Sequence, residues 1–174
     1  MRVNVPLLVR EVTTVDAEAV GEMHAEAWRA AHRDLFEGRW LDLLVDRQRR
    51  TWTSTVSAGR WGRDTVLLAE RDRKVGAFVH FGPHGAGLRE GEIFELSVHP
   101  TVGGRGVAPM LVDAARESLA EAGFRHLRVW TLGGTNHVRR CYEALGFEET
   151  GRRREHDYGD RRPVLQLEYR RRTT

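Results

Sequence analysis

A strand-like run from Ile93 to Val98 leads through His99-Pro100 into a turn holding Gly103, Gly104 and Gly106, and that turn opens a segment with helical spacing. Residues of these types in this order can capture an anion. Glycine lets the backbone approach a ligand closely, and the N–H groups of a first helical turn have no partner inside the helix, so they can point at a phosphate. Two familiar phosphate motifs are excluded by the residues after the last glycine. A Walker loop needs lysine and then serine or threonine there, where this chain has Val107 and Ala108. A dinucleotide fingerprint needs glycine or alanine where this chain has Pro109, and it comes after a first strand instead of this late in a chain. The same stretch carries Glu90, Glu92 and Glu95. By the two-residue alternation of a strand, Glu92 shares a face with Phe94, Leu96 and Val98, and Glu95 points the other way.

The elements that must position this turn read clearly from the pattern. Leu7 to Val12 predicts a first strand, and Thr13 and Thr14 can cap a helix running from Ala17, with Val20, Met23, Ala27, Ala30 and Ala31 at helical spacing. His24, Trp28 and His32 recur at intervals of four on a neighbouring face, either a partly buried stripe or a substrate wall. A loop at Asp34 to Gly38 leads to a second helix that Gly59 and Gly62 end. Thr65 to Glu70 and Val75 to Phe81 predict a hairpin, with Gly82 to Gly91 as a loop. Beyond the central stretch come a helix from Arg105 to Ala122 stopped by Gly123 and a strand from Phe124 to Leu132. A further helix is capped at Thr135 or Asn136, carries Val138, Cys141, Tyr142 and Leu145 inward, and closes at Gly146. Phe147 to Arg154 and Val164 to Tyr169 predict the last two strands. Strands alternating with helices in the second half argue for an α/β or α+β domain with a mixed sheet, whose ligands gather at the carboxyl ends of central strands.

The chain has 174 residues, 40% of them hydrophobic, which suits one domain spanning 1–174 with its core at about 7–170. No apolar run is long enough for a bilayer span and the N-terminal run lacks the features of a signal peptide, so the expectation is a soluble cytoplasmic protein. Cys141 is the only cysteine, which excludes an internal disulfide and any metal site built on several thiolates. A net charge of +3 with acidic residues interspersed is too small to imply nucleic acid. The clusters Arg152 to Arg154 and Arg170 to Arg172 read as solvated surface and a loose tail.

Val98-His99-Pro100 followed by Gly103-Gly104-Arg105-Gly106-Val107-Ala108 resembles the acetyl-coenzyme A motif of the GNAT superfamily of N-acetyltransferases, V-x-P and then R/Q-x-x-G-x-G/A. Gly103 stands where arginine or glutamine is usual. His24 to His32 (HAEAWRAAH) and Val129 to Phe147 (VWTLGGTNHVRRCYEALGF) are similar to bacterial members in the same order and at the same spacing. Three blocks in register are far more specific than one glycine motif. The resemblance implies a mixed sheet of six to seven strands flanked by about four helices, with a cofactor cleft between two central strands.

It also implies roles. Backbone groups of Leu96, Ser97 and Val98 would pair with the pantetheine arm as an added strand, and the N–H groups of Gly103, Gly104, Arg105, Gly106, Val107 and Ala108 would hold the pyrophosphate. Tyr142 matches the family's tyrosine that protonates the departing coenzyme A thiolate, and a phenol with a pKa near 10 can do so. The family's asparagine falls at Thr135, with Asn136 one place later. Acetylating an amine requires removing a proton from an ammonium. Glu92 matches the strand position from which relatives present a base, Glu95 is second, and the competing reading pairs Glu92 with an arginine such as Arg128. His99, held extended by Pro100, reads as structural. Cys141 reads as a small buried residue. The function implied is transfer of acetyl from acetyl-coenzyme A to a primary amine, of a small molecule or peptide N-terminus, by direct attack and without metal. A degenerate acyl-coenzyme A-binding or regulatory member is the alternative. Glu90, Glu92 and Glu95 would form an acidic pocket for a cationic amine, with His24 and Trp28 as further substrate contacts. Neither nucleic acid nor membrane is an expected partner, and a homodimer is the family's common habit.

Overall fold

The computed structural model describes residues 6–85, 89–133 and 136–174. Its elements follow the predicted order: β1 (Leu8–Glu11), α1 (Ala17–His32), α2 (Gly38–Ala58), β2 (Thr65–Arg71), β3 (Lys74–His84), β4 (Glu90–Val98), α3 (Val107–Glu121), β5 (His126–Leu132), α4 (Asn136–Ala144), β6 (Glu148–His156) and β7 (Val164–Arg172). The strands form one mixed sheet in the order β1-β2-β3-β4-β5-β7-β6. β4 and β5 are parallel, paired from Glu90↔His126 to Ile93↔Val129, and α3 is the crossover between them. The pairs β1–β2, β5–β7 and β6–β7 are antiparallel.

Two compact units share β3, β4 and α3. Residues 1–80 with 95–111 make the first, and 81–94 with 112–174 the second. In the first, Val20, Met23, Ala27, Trp52, Val56, Leu68 and Phe78 form one apolar cluster. In the second, Leu127, Val129, Leu167 and Tyr169 are buried, as are Val112, Ala115 and Leu119 of α3.

The helix stops are those the glycines predict. Gly59, at φ 58°, caps α2 in the left-handed region. After α4, Gly146 N–H donates to Glu143 O and Phe147 N–H to Tyr142 O, the paired bonds of a Schellman motif.

Three expectations are corrected. β3 runs through Gly82 and Pro83 to His84, so the predicted loop from Gly82 is shorter than expected. Arg170 to Arg172 are no loose tail, because they pair with β5 as far as Arg172↔His126, and buried Thr173 donates from Oγ1 to Phe124 O at 2.6 Å. Cys141 is exposed, since α4 buries no residue fully.

Candidate functional site

The glycine turn belongs to the first unit, and the end of β4 sets where it starts. His99 N–H donates to Gly76 O at 2.8 Å and Val102 N–H to His99 O at 3.0 Å, which bends the chain out of the strand. Thr101 N–H donates to His99 Nδ1 at 3.2 Å. That makes Nδ1 the acceptor and leaves Nε2–H to donate to Glu26 of α1. His99 is therefore structural, as expected, with both nitrogens occupied.

The turn itself is built for close approach. Gly104 and Gly106 have φ of 73° and 77°, where a side chain is strained, and a Cβ on either would meet nothing within 4 Å. Open space thus lies against the backbone at both. Met110 N–H closes the first helical bond to Gly106 O at 3.2 Å, so the N–H groups of Gly106, Val107 and Ala108 precede any intrahelical partner. Pro109, in that same first turn, has no N–H to lose. Gly103 differs from its neighbours. Its φ is not left-handed, and a Cβ there would sit at ordinary contact, 3.5 Å from Pro100 O. Nothing about the backbone requires glycine at that position. Arg105 is exposed beside it.

Ser97, 4% exposed, hangs from β4 toward α1 and bonds His24 Nδ1 at 2.9 Å, while His24 Nε2 meets Gln48 Oε1 at 3.2 Å. With Gln48 Oε1 accepting, Nε2 carries the proton and the Ser97 hydroxyl donates to Nδ1. His24 is 1% exposed and burial pushes its pKa down to about 4, so it is a neutral and weakly basic member of the interior. Trp28 is buried too, stacked on His32 with ring centroids 3.8 Å apart. The stripe at intervals of four is thus packed inside the first unit. Glu95, half-buried, is different from all of these: burial pushes its carboxyl up to about 7. Leu96 and Val98 flank Ser97 and are half-buried.

In the second unit the carboxylates are paired. Glu92 and Arg128 face each other across the β4–β5 ladder, and Arg128 donates from Nε and Nη2 to Glu92 Oε2 at 2.9 and 2.7 Å. Arg128 Nη1 also reaches Glu168 Oε2 at 3.3 Å, and Thr150 Oγ1 donates to Glu168 Oε1 at 2.9 Å. His84 Nδ1 lies 2.8 Å from Arg128 Nη2 and 2.9 Å from Glu92 Oε2. Glu92 is 7% exposed and Arg128 8%. Glu90 pairs with Arg170 Nε at 3.0 Å. Two members of the expected acidic pocket, Glu90 and Glu92, are therefore each paired with an arginine. Glu168, Thr150 and His84 escaped the sequence reading; Glu168 and Thr150 come to Arg128 through the pairing of β7 with β5 and β6, and His84 from the end of β3, and no local pattern signals such pairing.

Tyr142 is half-buried on α4, its ring 5.6 Å from Phe147 and 6.2 Å from Tyr169 between centroids. The Schellman bond from Phe147 to Tyr142 O holds the first of these neighbours in place. Asn136 is the first residue of α4 and exposed, and Thr135 lies outside the described residues. Among the described residues no group of His, Cys, Asp or Glu could hold a metal ion, and no helix is long and apolar enough to cross a membrane.

The model of the acetyltransferase (GNAT) family matches residues 25–147. Among curated proteins none matches the chain. Among solved structures, the PaiA N-acetyltransferase of Thermoplasma acidophilum, in complex with coenzyme A, is 13% identical with a TM-score of 0.74, over 96% of this chain and 99% of that one. YncA of Salmonella typhimurium, a putative acetyltransferase with its cofactor acetyl-CoA, is 18% identical with a TM-score of 0.64, over 97% and 94%. A ribosomal-protein-alanine N-acetyltransferase of Brucella melitensis is 20% identical with a TM-score of 0.67, over 95% and 99%. At these identities the likeness is one of fold.

Proposed function

The chain belongs to the acetyltransferase (GNAT) family, and on that premise we propose that it transfers an acetyl group from acetyl-coenzyme A to a primary amine by direct attack. The observation that carries this reading is the turn before α3. Left-handed glycines at Gly104 and Gly106 leave open space against unpartnered N–H groups, which is what a pyrophosphate needs. Backbone groups of Leu96, Ser97 and Val98 would hold the pantetheine arm, and the N–H groups of Gly103 to Ala108 the pyrophosphate. When bound, acetyl-coenzyme A supplies an acyl carbon activated by a sulfur leaving group.

Glu95 serves as the base in this reading. A carboxylate with a pKa of about 7 holds a proton far better than an ordinary glutamate and is still half ionised near neutrality. It takes the proton of the acceptor ammonium, the amine nitrogen then bonds to the acyl carbon, and the carbon–sulfur bond breaks. Tyr142 donates its phenolic proton to the departing sulfur, and the second proton, lost by the nitrogen as the amide forms, restores the phenol. The Val98 N–H stabilises the acyl oxygen as charge develops there. Glu92, hydrogen-bonded twice by Arg128, acts on the site only through Arg128. Thr135 and Asn136, the latter the first residue of α4, are the proposed further cofactor contacts. A cytoplasmic location and a homodimer complete the reading.

The test is thiol release and acetyl transfer from acetyl-coenzyme A over a panel of primary amines. Tyr142→Phe and Glu95→Gln should each lower kcat by about 10²-fold or more with coenzyme A affinity retained. Unchanged turnover in both variants would overturn the assignment. Tight coenzyme A binding without transfer to any amine would favour a binding protein over an enzyme.

A further inference from the structure

The bend that carries β4 into the glycine turn is clamped from two sides within the first unit, to which Glu26, Gly76, His99 and Thr101 all belong. On the sheet side, His99 N–H donates to Gly76 O. Val102 lies so close to Gly76 that a Cβ there would meet both valine Cγ atoms at 3.2 Å. On the helix side the clamp is the His99 imidazole, itself half-buried. Its Nδ1 accepts from Thr101 N–H at 3.2 Å and lies 2.7 Å from Thr101 Oγ1, and its Nε2 meets a carboxylate oxygen of Glu26, which is exposed on α1.

Two tautomers of that imidazole compete, and they hold the bend differently. With the proton on Nε2, Nδ1 offers a lone pair to the Thr101 N–H. With the proton on Nδ1, the ring donates to Thr101 Oγ1 instead, and the Thr101 N–H loses its acceptor. The Thr101 side chain does not choose between them, because a hydroxyl donates or accepts. Glu26 does choose: an ionised carboxylate only accepts, so it requires the proton on Nε2. That tautomer ties Thr101 back to His99, and Val102 N–H closes the same bend on His99 O. The N–H groups from Gly103 to Ala108 start from this bend, so their placement depends on it. Resting on the acetyltransferase reading above, we infer that Glu26 is a positioning residue for coenzyme A, acting through the His99 tautomer to hold the bend from which the pyrophosphate-binding N–H groups are presented. The effect has a sign that separates it from simple electrostatics. Coenzyme A is an anion, so loss of a nearby carboxylate tightens binding by charge alone, whereas loss of the tautomer constraint weakens it.

The test pairs imidazole-nitrogen NMR with calorimetry of coenzyme A binding at pH 8, on wild type, Glu26→Ala and Glu18→Ala, the last removing an exposed carboxylate elsewhere on α1. The His99 signals are identified by their loss in His99→Asn. In wild type and Glu18→Ala, Nε2 should carry the proton and Nδ1 should not. In Glu26→Ala, a substantial share of molecules should carry it on Nδ1. Coenzyme A should bind Glu26→Ala about 10-fold more weakly than wild type, and Glu18→Ala no more weakly. Unchanged or tighter binding by Glu26→Ala, or an unchanged His99 tautomer in that variant, overturns the inference. A wild type that binds no coenzyme A overturns the acetyltransferase reading, and this inference with it.

Discussion

Two glutamates three positions apart on β4 fall in different units and differ in their partners. Glu92, in the second unit, accepts two hydrogen bonds from Arg128, which also holds Glu168. Glu95, in the first, is dominated by burial, which disfavours its charge and pushes its carboxyl up to about 7. Both are withdrawn from solvent to some degree, and what separates them is whether a cation stands beside the carboxylate. The Oε2 oxygen of Glu92 is occupied by hydrogen bonds from Arg128 and so is not free to meet an ammonium. A carboxylate that is desolvated without compensation accepts a proton readily, and it costs the fold stability whenever it is ionised.

The largest effect should come from breaking the paired side of this contrast. Arg128→Met leaves Glu92 and Glu168 buried without their common counter-ion and should cost about 3–5 kcal/mol in denaturant unfolding. Adding Glu92→Gln to that variant should restore part of the loss, because one orphaned charge is removed.

The desolvated side should respond in the opposite sense. The folded-state pKa of Glu95 is raised from 4.5 to about 7, so ionisation destabilises the fold progressively as pH rises through that window and fully above it. Glu95→Gln should therefore leave stability unchanged at pH 4 and raise it at pH 8 by about 3 kcal/mol at most. Equal stability of variant and wild type at pH 8 would show that the site is better solvated than its burial implies.

A third carboxylate sharpens the comparison, because in the first unit Asp16 behaves as a paired group. Arg10 donates to both its oxygens at 2.8 Å, and that hydrogen bonding holds its pKa down at about 2. Its contribution, about 2 kcal/mol after allowance for the part-exposed Arg10, is present above pH 4 and lost as pH falls to 2. Asp16→Asn should remove that acid slope in unfolding measurements while leaving the rise assigned to Glu95 intact.

The smallest effects concern the glycine turn. Gly104→Ala forces a left-handed φ on a side chain and should cost about 1 kcal/mol. Gly103→Arg meets no such strain and should fold normally, adding a cation that binds coenzyme A several-fold tighter by calorimetry.

The element order was legible because hydrophobic periodicity and helix-stopping glycines are local signals, and Gly59, Gly123 and Gly146 all fall where helices end. The glycine turn was legible for the same reason. Three things were not. The partner of Glu92 depends on which residue of β5 lies opposite it, and sequence offered Arg128 only as one of two readings. The run Arg170 to Arg172 looks like a solvated tail until β5 supplies a ladder for its backbone. The inner face of α4 promised a buried Cys141, but helical spacing shows only which residues share a side, not how much covers that side.

The most direct measurement is the pH dependence of kcat/KM for acetyl transfer in wild type, Glu95→Gln and Glu92→Gln, with an acceptor amine whose own pKa lies well above the range scanned. The wild type should show an acidic limb with a midpoint near 7, kept in Glu92→Gln and abolished in Glu95→Gln along with most of the rate. A limb that survives in Glu95→Gln and disappears in Glu92→Gln would contradict the account and return the base to the paired carboxylate.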